Sequence, residues 1–149
     1  MKVIEYFDSR DSSHWLNQMQ KCDWRAGQYL CELLRESTFK NIFGEKSKVL
    51  LLVDGRELVS FCTYSEIDDI QPTDLTPWIG FVYTFPAYRN RGCAGKMLKH
   101  CERLAKNDKV EAVYISTNHV DFYEKYGYEF YKTMEDIAGE CSRVYRKRI

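Results

Sequence analysis

Val82-Tyr83-Thr84-Phe85-Pro86-Ala87-Tyr88-Arg89-Asn90-Arg91-Gly92-Cys93-Ala94-Gly95-Lys96-Met97-Leu98 is the stretch whose reading decides how this chain folds. The run from Gly80 to Phe85 is apolar on both faces and reads as a buried strand. Pro86 ends its ladder because it has no N–H to donate, and Met97, Leu98, Cys101, Leu104 and Ala105 then recur at helical spacing. The order is therefore strand, tight loop, helix. Gly92, Ala94 and Gly95 fall at the loop-to-helix junction, where small residues let backbone N–H groups approach a ligand closely. A helix N-terminus supplies about half a positive charge there. Arg89 and Arg91 add whole charges beside it, so the residues by themselves describe a phosphate or pyrophosphate site.

Two familiar phosphate loops do not fit. A Walker A loop needs Gly-x-x-x-x-Gly-Lys-Ser/Thr, but Asn90 stands where its first glycine would be and Met97 follows Lys96. A dinucleotide fingerprint needs three glycines in a fixed pattern that this loop lacks. What fits is Arg-x-x-Gly-x-Ala over Arg89, Gly92 and Ala94. In this the stretch resembles the coenzyme A loop of the N-acetyltransferase superfamily known as GNAT. A basic turn that merely caps a helix is the plainer alternative, and the downstream segment weighs against it. There Phe122-Tyr123-Glu124-Lys125-Tyr126-Gly127-Tyr128 resembles the second signature of the same superfamily, with Tyr128 in place of the usual Phe.

Composition narrows the rest. At 149 residues, 44% hydrophobic and 15% aromatic, the chain suits one domain over residues 1–149. Its 22 basic residues balance 22 acidic ones, so no global field points to nucleic acid or an anionic membrane. No stretch reaches the roughly 20 apolar residues of a membrane span, and the first residues lack a signal-peptide core, so a cytoplasmic protein is expected. Cys22, Cys31, Cys62, Cys93, Cys101 and Cys141 form no Cys-x-x-Cys pair and have no His at ligand spacing, which predicts reduced, mostly buried thiols and no metal. Cys93 stands apart, because a helix N-terminus in a phosphate loop lowers a thiol's pKa.

Working outward, residues 12–44 read as helical, with Ser12 or Ser13 as first cap and apolar sets at Trp15, Leu16, Met19 and at Tyr29, Leu30, Leu33, Leu34. From Lys48 the period changes. Val49 to Val53 and Leu58 to Tyr64 flank Asp54-Gly55, the strongest short hairpin signal available. Glu66, Asp68 and Asp69 follow as an acidic cluster, and Pro72 and Pro77 punctuate an irregular connection. Val110 to Ser116 reads as the strand that closes a parallel crossover through residues 94–106. Asn118 or Asp121 then caps a short helix that Gly127 ends, Tyr128 and Phe130 begin a strand, and residues 139–149 form a last strand. The basic residues Arg143, Arg146, Lys147 and Arg148 read as a solvated strand end.

The resemblance spans nearly the whole chain. It implies an α/β (α+β) single-domain fold, a mixed and mostly antiparallel sheet flanked by helices, with acetyl-CoA bound where two parallel strands splay apart. It implies an acetyl-CoA-dependent N-acetyltransferase acting on a primary amine of a small molecule or peptide, with no metal and no nucleic-acid or membrane partner; a homodimer stays open. By position, Val82, Tyr83 and Thr84 would offer backbone groups to the pantetheine arm and the acetyl carbonyl. Arg89, Asn90, Arg91, Gly92, Cys93, Ala94 and Gly95 would hold the pyrophosphate, with Asn118 a weaker addition. Tyr123 stands at the position of the general acid, with Tyr126 a distant second. For the base, Glu66 is the first candidate, followed by Asp68 and His119. A CoA-binding module that kept the fold without chemistry is the competing class, and an unrelated phosphate-binding protein a third.

Overall fold

The computed structural model describes every residue from Met1 to Ile149. Seven strands form one sheet: β1 (Lys2–Glu5), β2 (Lys48–Asp54), β3 (Glu57–Ser65), β4 (Trp78–Thr84), β5 (Ala112–Thr117), β6 (Glu129–Glu135) and β7 (Cys141–Arg148). Their spatial order is β1-β2-β3-β4-β5-β7-β6. Every neighbouring pair is antiparallel except β4 with β5, which is the parallel pair expected from the crossover. Four helices accompany the sheet: α1 (Ser12–Met19), α2 (Arg25–Arg35), α3 (Phe39–Phe43) and α4 (Cys93–Asn107).

Two cores explain why the central strands are apolar throughout. Val49, Leu51 and Val53 of β2 point to one face, where they pack with Trp15, Met19, Leu30, Leu34, Phe39 and Phe43 of α1, α2 and α3. Leu50 and Leu52 point to the other, against Met97, Leu98, Cys101 and Ala105 of α4. Strands covered on both sides lose the apolar–polar alternation of a half-solvated sheet. The Asp54-Gly55 hairpin forms as expected, with Asp54 paired to Glu57 and Gly55 at φ +60°.

The strand at the centre departs from regularity. Phe61 pairs with Tyr83 and Thr63 with Gly80, so Cys62 alone faces two residues, Phe81 and Val82. This is a β-bulge, and Phe81 takes φ +51° within it. Beyond it β4 leaves its other neighbour: the parallel ladder holds one register pair, Trp78 with Tyr114.

Several local expectations are corrected. The helical region at residues 12–44 is three helices rather than two, and Asp11 sits at the first cap without a side-chain bond, so neither Ser12 nor Ser13 caps it. β1 carries no sequence signal of its own; it is four residues added to the outside of β2. The short helix at Tyr123–Tyr126 is 3₁₀, and neither Asn118 nor Asp121 caps it, because Phe122 holds that place. Gly127 ends it at φ +90°, as expected.

Tyr128 does more than replace a phenylalanine. Its ring is 1% exposed and its hydroxyl donates to Glu102 Oε2 at 2.9 Å, while Lys147 Nζ donates to Glu102 Oε1 at 3.0 Å and to the Tyr126 carbonyl at 2.8 Å. Glu102 thus ties α4 to the 3₁₀ turn and to β7. Replacing Glu102 with Leu strands a buried hydroxyl and an ammonium; the unfolding free energy in a denaturant titration is expected to fall by about 1–3 kcal/mol. An unchanged midpoint would show that the tie carries no stability.

Candidate active site

The parting of β4 from β5 frees main-chain groups. Phe85 N–H donates to the Val59 carbonyl, so by antiparallel alternation Tyr83 also turns its backbone to β3 and Thr84 turns away from it. Ser60 Oγ donates to the Tyr83 carbonyl at 2.6 Å, which confirms that direction. Of the three residues expected to face a ligand, Tyr83 therefore spends its backbone on the sheet. Val82 and Thr84 border the gap, although the Thr84 carbonyl already accepts from Arg89 Nε at 2.9 Å.

The turn after β4 leaves backbone donors unpaired. Asn90 and Gly92 both take left-handed backbone, at φ +65° and +75°, which gathers successive N–H groups on one side. No side chain caps α4, and its first backbone bond runs from Lys96 N–H to the Gly92 carbonyl. The N–H groups of Cys93, Ala94 and Gly95 are left without a helical partner. Arg89 and Arg91 are exposed beside this cradle, their guanidinium groups 5.4 Å from the Tyr83 ring and 5.8 Å from the Tyr88 ring.

The two glycines serve different ends. Nothing lies within 4 Å of a Cβ placed on Gly92, so only its backbone conformation demands glycine. A Cβ on Gly95 would sit 2.7 Å from Tyr126 Cε1, so Gly95 exists to let that ring lie on the first turn of α4. Tyr126 is thereby a packing residue. Cys93, set apart as a thiol in the phosphate loop, is 3% exposed, and its sulfur donates inward to the Tyr88 carbonyl at 3.6 Å.

Tyr123 packs in the core below α4, 6% exposed, with its ring edge-on to Phe122 and Tyr128. Its hydroxyl bonds to no protein group, and it is not among the fully buried unpartnered polar atoms, so the oxygen meets open space. Burial raises its pKa above the ordinary phenol value. The group stays protonated across the usual working range.

The acidic cluster divides. Glu66 is exposed and its Oε1 accepts from Lys46 N–H at 2.9 Å, while its side chain lies over Gly44. It braces the turn before β2 beside a cleft of about 660 Å³ lined by Lys46, Lys48 and Asp108, at the opposite end of the sheet from the anion cradle. Asp68 instead folds back onto β4. Its Oδ2 is buried without a partner against Gly80, at the level where β4 and β5 part, and its Oδ1 accepts from Asp69 N–H at 2.8 Å. Burial, then the neighbouring charge of Asp69, push Asp68 up to about 7. Burial also raises Asp69, with Asp136 adding to the rise and Ser116 opposing it. His119 is exposed, as is Asn118 at the end of β5.

On the helical face two residues that the sequence did not single out meet β4. Trp24, between α1 and α2, stacks on Tyr83 at 5.7 Å and 9°, and the Tyr83 hydroxyl donates to Asp23 Oδ1 at 2.7 Å. That hydroxyl is the main influence holding the Asp23 carboxyl below its usual range. Thr63 and Gly80 were also missed. A lone glycine inside an apolar strand is the signal for Gly80, because it marks a bulge or a close approach.

The sequence profile of the Acetyltransferase (GNAT) family matches residues 13–128. Among solved structures, an aminoglycoside 6'-N-acetyltransferase complexed with coenzyme A aligns with TM-score 0.72 at 14% identity, over 99% of this chain and 97% of its own. The aminoglycoside 6'-N-acetyltransferase from Enterococcus faecium aligns with TM-score 0.69 at 13% identity, over 99% and 97%. A GNAT family acetyltransferase from Elizabethkingia anophelis with acetyl-CoA bound gives TM-score 0.68 at 13% identity, again over 99% and 97%. At such identities the likeness establishes the fold. No curated protein sequence matches.

Asp68 makes stability depend on pH. Its pKa is 3.8 in the unfolded chain and about 7 when folded, so between these values the folded state binds more protons and stability falls as pH rises. Above about 7 the loss is complete. The charges bearing on it are Asp69 and, through Asp69, Asp136 on the turn between β6 and β7; Thr63 and Gly80 face it uncharged from β3 and β4, and Ser116 of β5 meets Asp69. Melting temperature measured from pH 4 to 8 should decline more steeply for the native protein than for Asp68→Asn. Parallel curves would rule out a buried, neutralised Asp68.

Proposed function

The chain belongs to the GNAT acetyltransferase family, and on that premise we propose that it moves an acetyl group from acetyl-CoA to a primary amine. The observation that carries this reading is the uncapped start of α4, with left-handed Asn90 and Gly92, set beside the gap between β4 and β5. A pyrophosphate fits that cradle: the amides from Asn90 to Gly95 donate to its oxygens, and Arg89 and Arg91 neutralise its charge. A pantetheine arm lies along the free edge of β4 as a short added strand, served by Val82 and Thr84. A Val82 N–H directed into the gap stabilises negative charge as it gathers on the acetyl oxygen.

The chemistry needs a neutral amine and a proton for the departing thiolate. Holding an alkyl amine with pKa near 10.4 unprotonated at neutral pH costs roughly 4–5 kcal/mol, which is why a carboxylate at the acceptor side matters. As the C–N bond forms and the C–S bond breaks, Tyr123 gives its phenolic proton to sulfur and recovers one from solvent through its open hydroxyl. The raised pKa of Tyr123 keeps that proton in place until thiolate charge develops. Acidic groups on the acceptor side, Asp23, Asp68 and Asp69, favour a small cationic amine. Related folds that act on aminoglycosides agree with this class.

Release of CoA thiol from acetyl-CoA with a mixed panel of primary amines tests the reaction. Tyr123→Phe is expected to lower kcat by about 10²–10⁴ with little change in the KM for acetyl-CoA. Thiol release by the variant at the native rate would remove Tyr123 from the chemistry. Gly92→Glu meets no side chain, yet sets a carboxylate in the cradle. It should weaken acetyl-CoA binding in calorimetry by more than tenfold; unchanged affinity would place the diphosphate elsewhere.

A further inference from the structure

Three buried oxygens have no hydrogen-bond partner: Thr63 Oγ1, Asp68 Oδ2 and Asp69 Oδ1. The first two converge on one spot, since a Cβ on Gly80 would meet both Asp68 Oδ2 and Thr63 Oγ1. The absence of a side chain at Gly80 is what allows Asp68 to enter. Thr63 is 0% exposed and belongs to β3, so this is a site within the sheet and not a solvated acidic loop. The spot lies on the face of α1, α2 and α3, at the level where β4 parts from β5, with Phe81 next to it in the bulge.

The side chains gathered there accept hydrogen bonds far better than they give them. Above about 7, where Asp68 is ionised, its carboxylate has no proton to donate, and the Thr63 hydroxyl has one. No Lys, Arg or His bonds to them. Unfilled acceptors in a dry site call for a ligand rich in N–H groups, and an ammonium has an N–H for each of the two converging oxygens. A quaternary ammonium offers none and an alcohol one.

We infer that Thr63 and Asp68 form the seat for the acceptor's primary amino group, with the Asp69 carboxyl beside Asp68, and that Asp68 Oδ2 takes the proton this nitrogen loses. The inference rests on the acetyl-transfer reading. The step balances: the seated ammonium first gives one proton to ionised Asp68, which passes it to solvent; the neutral nitrogen then forms the C–N bond as C–S breaks, its second proton passes to Asp68, and the thiolate takes the proton of Tyr123, which solvent restores. Asp68 is the catalytic base; Thr63 positions the nitrogen. The rise of Asp68 to about 7 suits a group that must both accept and release a proton near neutrality. Glu66 has no part, because its carboxylate is held at the Lys46 turn.

Thermal shift with CoA present and absent provides the test, using 1,4-diaminobutane as probe and 1,4-butanediol and tetramethylammonium as controls at matched ionic strength. The diamine should raise the melting temperature of the native protein saturably and the controls should not. Asp68→Asn and Thr63→Val should each lose the diamine shift while keeping the CoA shift, which also shows that they are folded. The inference is overturned if the diamine gives no shift, if tetramethylammonium gives an equal one, or if both variants keep the response. A native protein that ignores CoA but still binds the diamine through these residues would instead refute the acetyl-CoA reading and with it the proton-transfer role, leaving an amine-binding seat alone.

Discussion

Everything about the site depends on β4 and β5 failing to stay together. A parallel pair joined by a helix ordinarily zips along its length, yet here one register pair remains. The bulge at Phe81 and Val82 bends β4 away, at the cost of a bulky residue at φ +51°, a strain of about 1–3 kcal/mol. Aromatic packing holds it there: the Phe81 ring meets Phe43 at 5.7 Å and Trp24 at 6.3 Å. The main-chain groups that the sheet gives up are what a ligand can use.

The gap also joins two unlike faces. On one lies the start of α4, with free amides and the exposed Arg89 and Arg91. On the other lie Asp68 and Thr63, with bare acceptors. The chain's overall charge is balanced, but locally an anion-seeking end and a cation-seeking end meet through a slot in the sheet. On the proposed reading, a transfer between an anionic donor and a cationic acceptor would use that separation, each substrate drawn to its own side.

What could be read from the sequence was what local rules govern. The hairpin at Asp54-Gly55, the crossover helix with its buried Met97, Leu98, Cys101 and Ala105, and the small residues at its start all follow from spacing and backbone freedom. The misses concern direction. Glu66 and Asp68 are two residues apart in an irregular segment, where strand alternation no longer says which side chain turns inward; only the packing of the loop onto Gly80 separates them. Cys93 turned its sulfur into the core because the helix face is set by Met97 and Leu98 behind it. Tyr83 looked like a ligand-facing residue until its backbone was counted against β3, and the Tyr128 hydroxyl acquired meaning only through Glu102, distant in sequence. β1 is too short to announce itself.

The central claim is that main-chain amides at the opening of β4 and the start of α4 receive the cosubstrate. Amide hydrogen exchange with and without acetyl-CoA measures those groups directly. The account predicts slowed exchange at Val82, Thr84, Cys93, Ala94 and Gly95, with little change in β1 and β2. Protection confined to other segments, with these five amides exchanging as before, would contradict it.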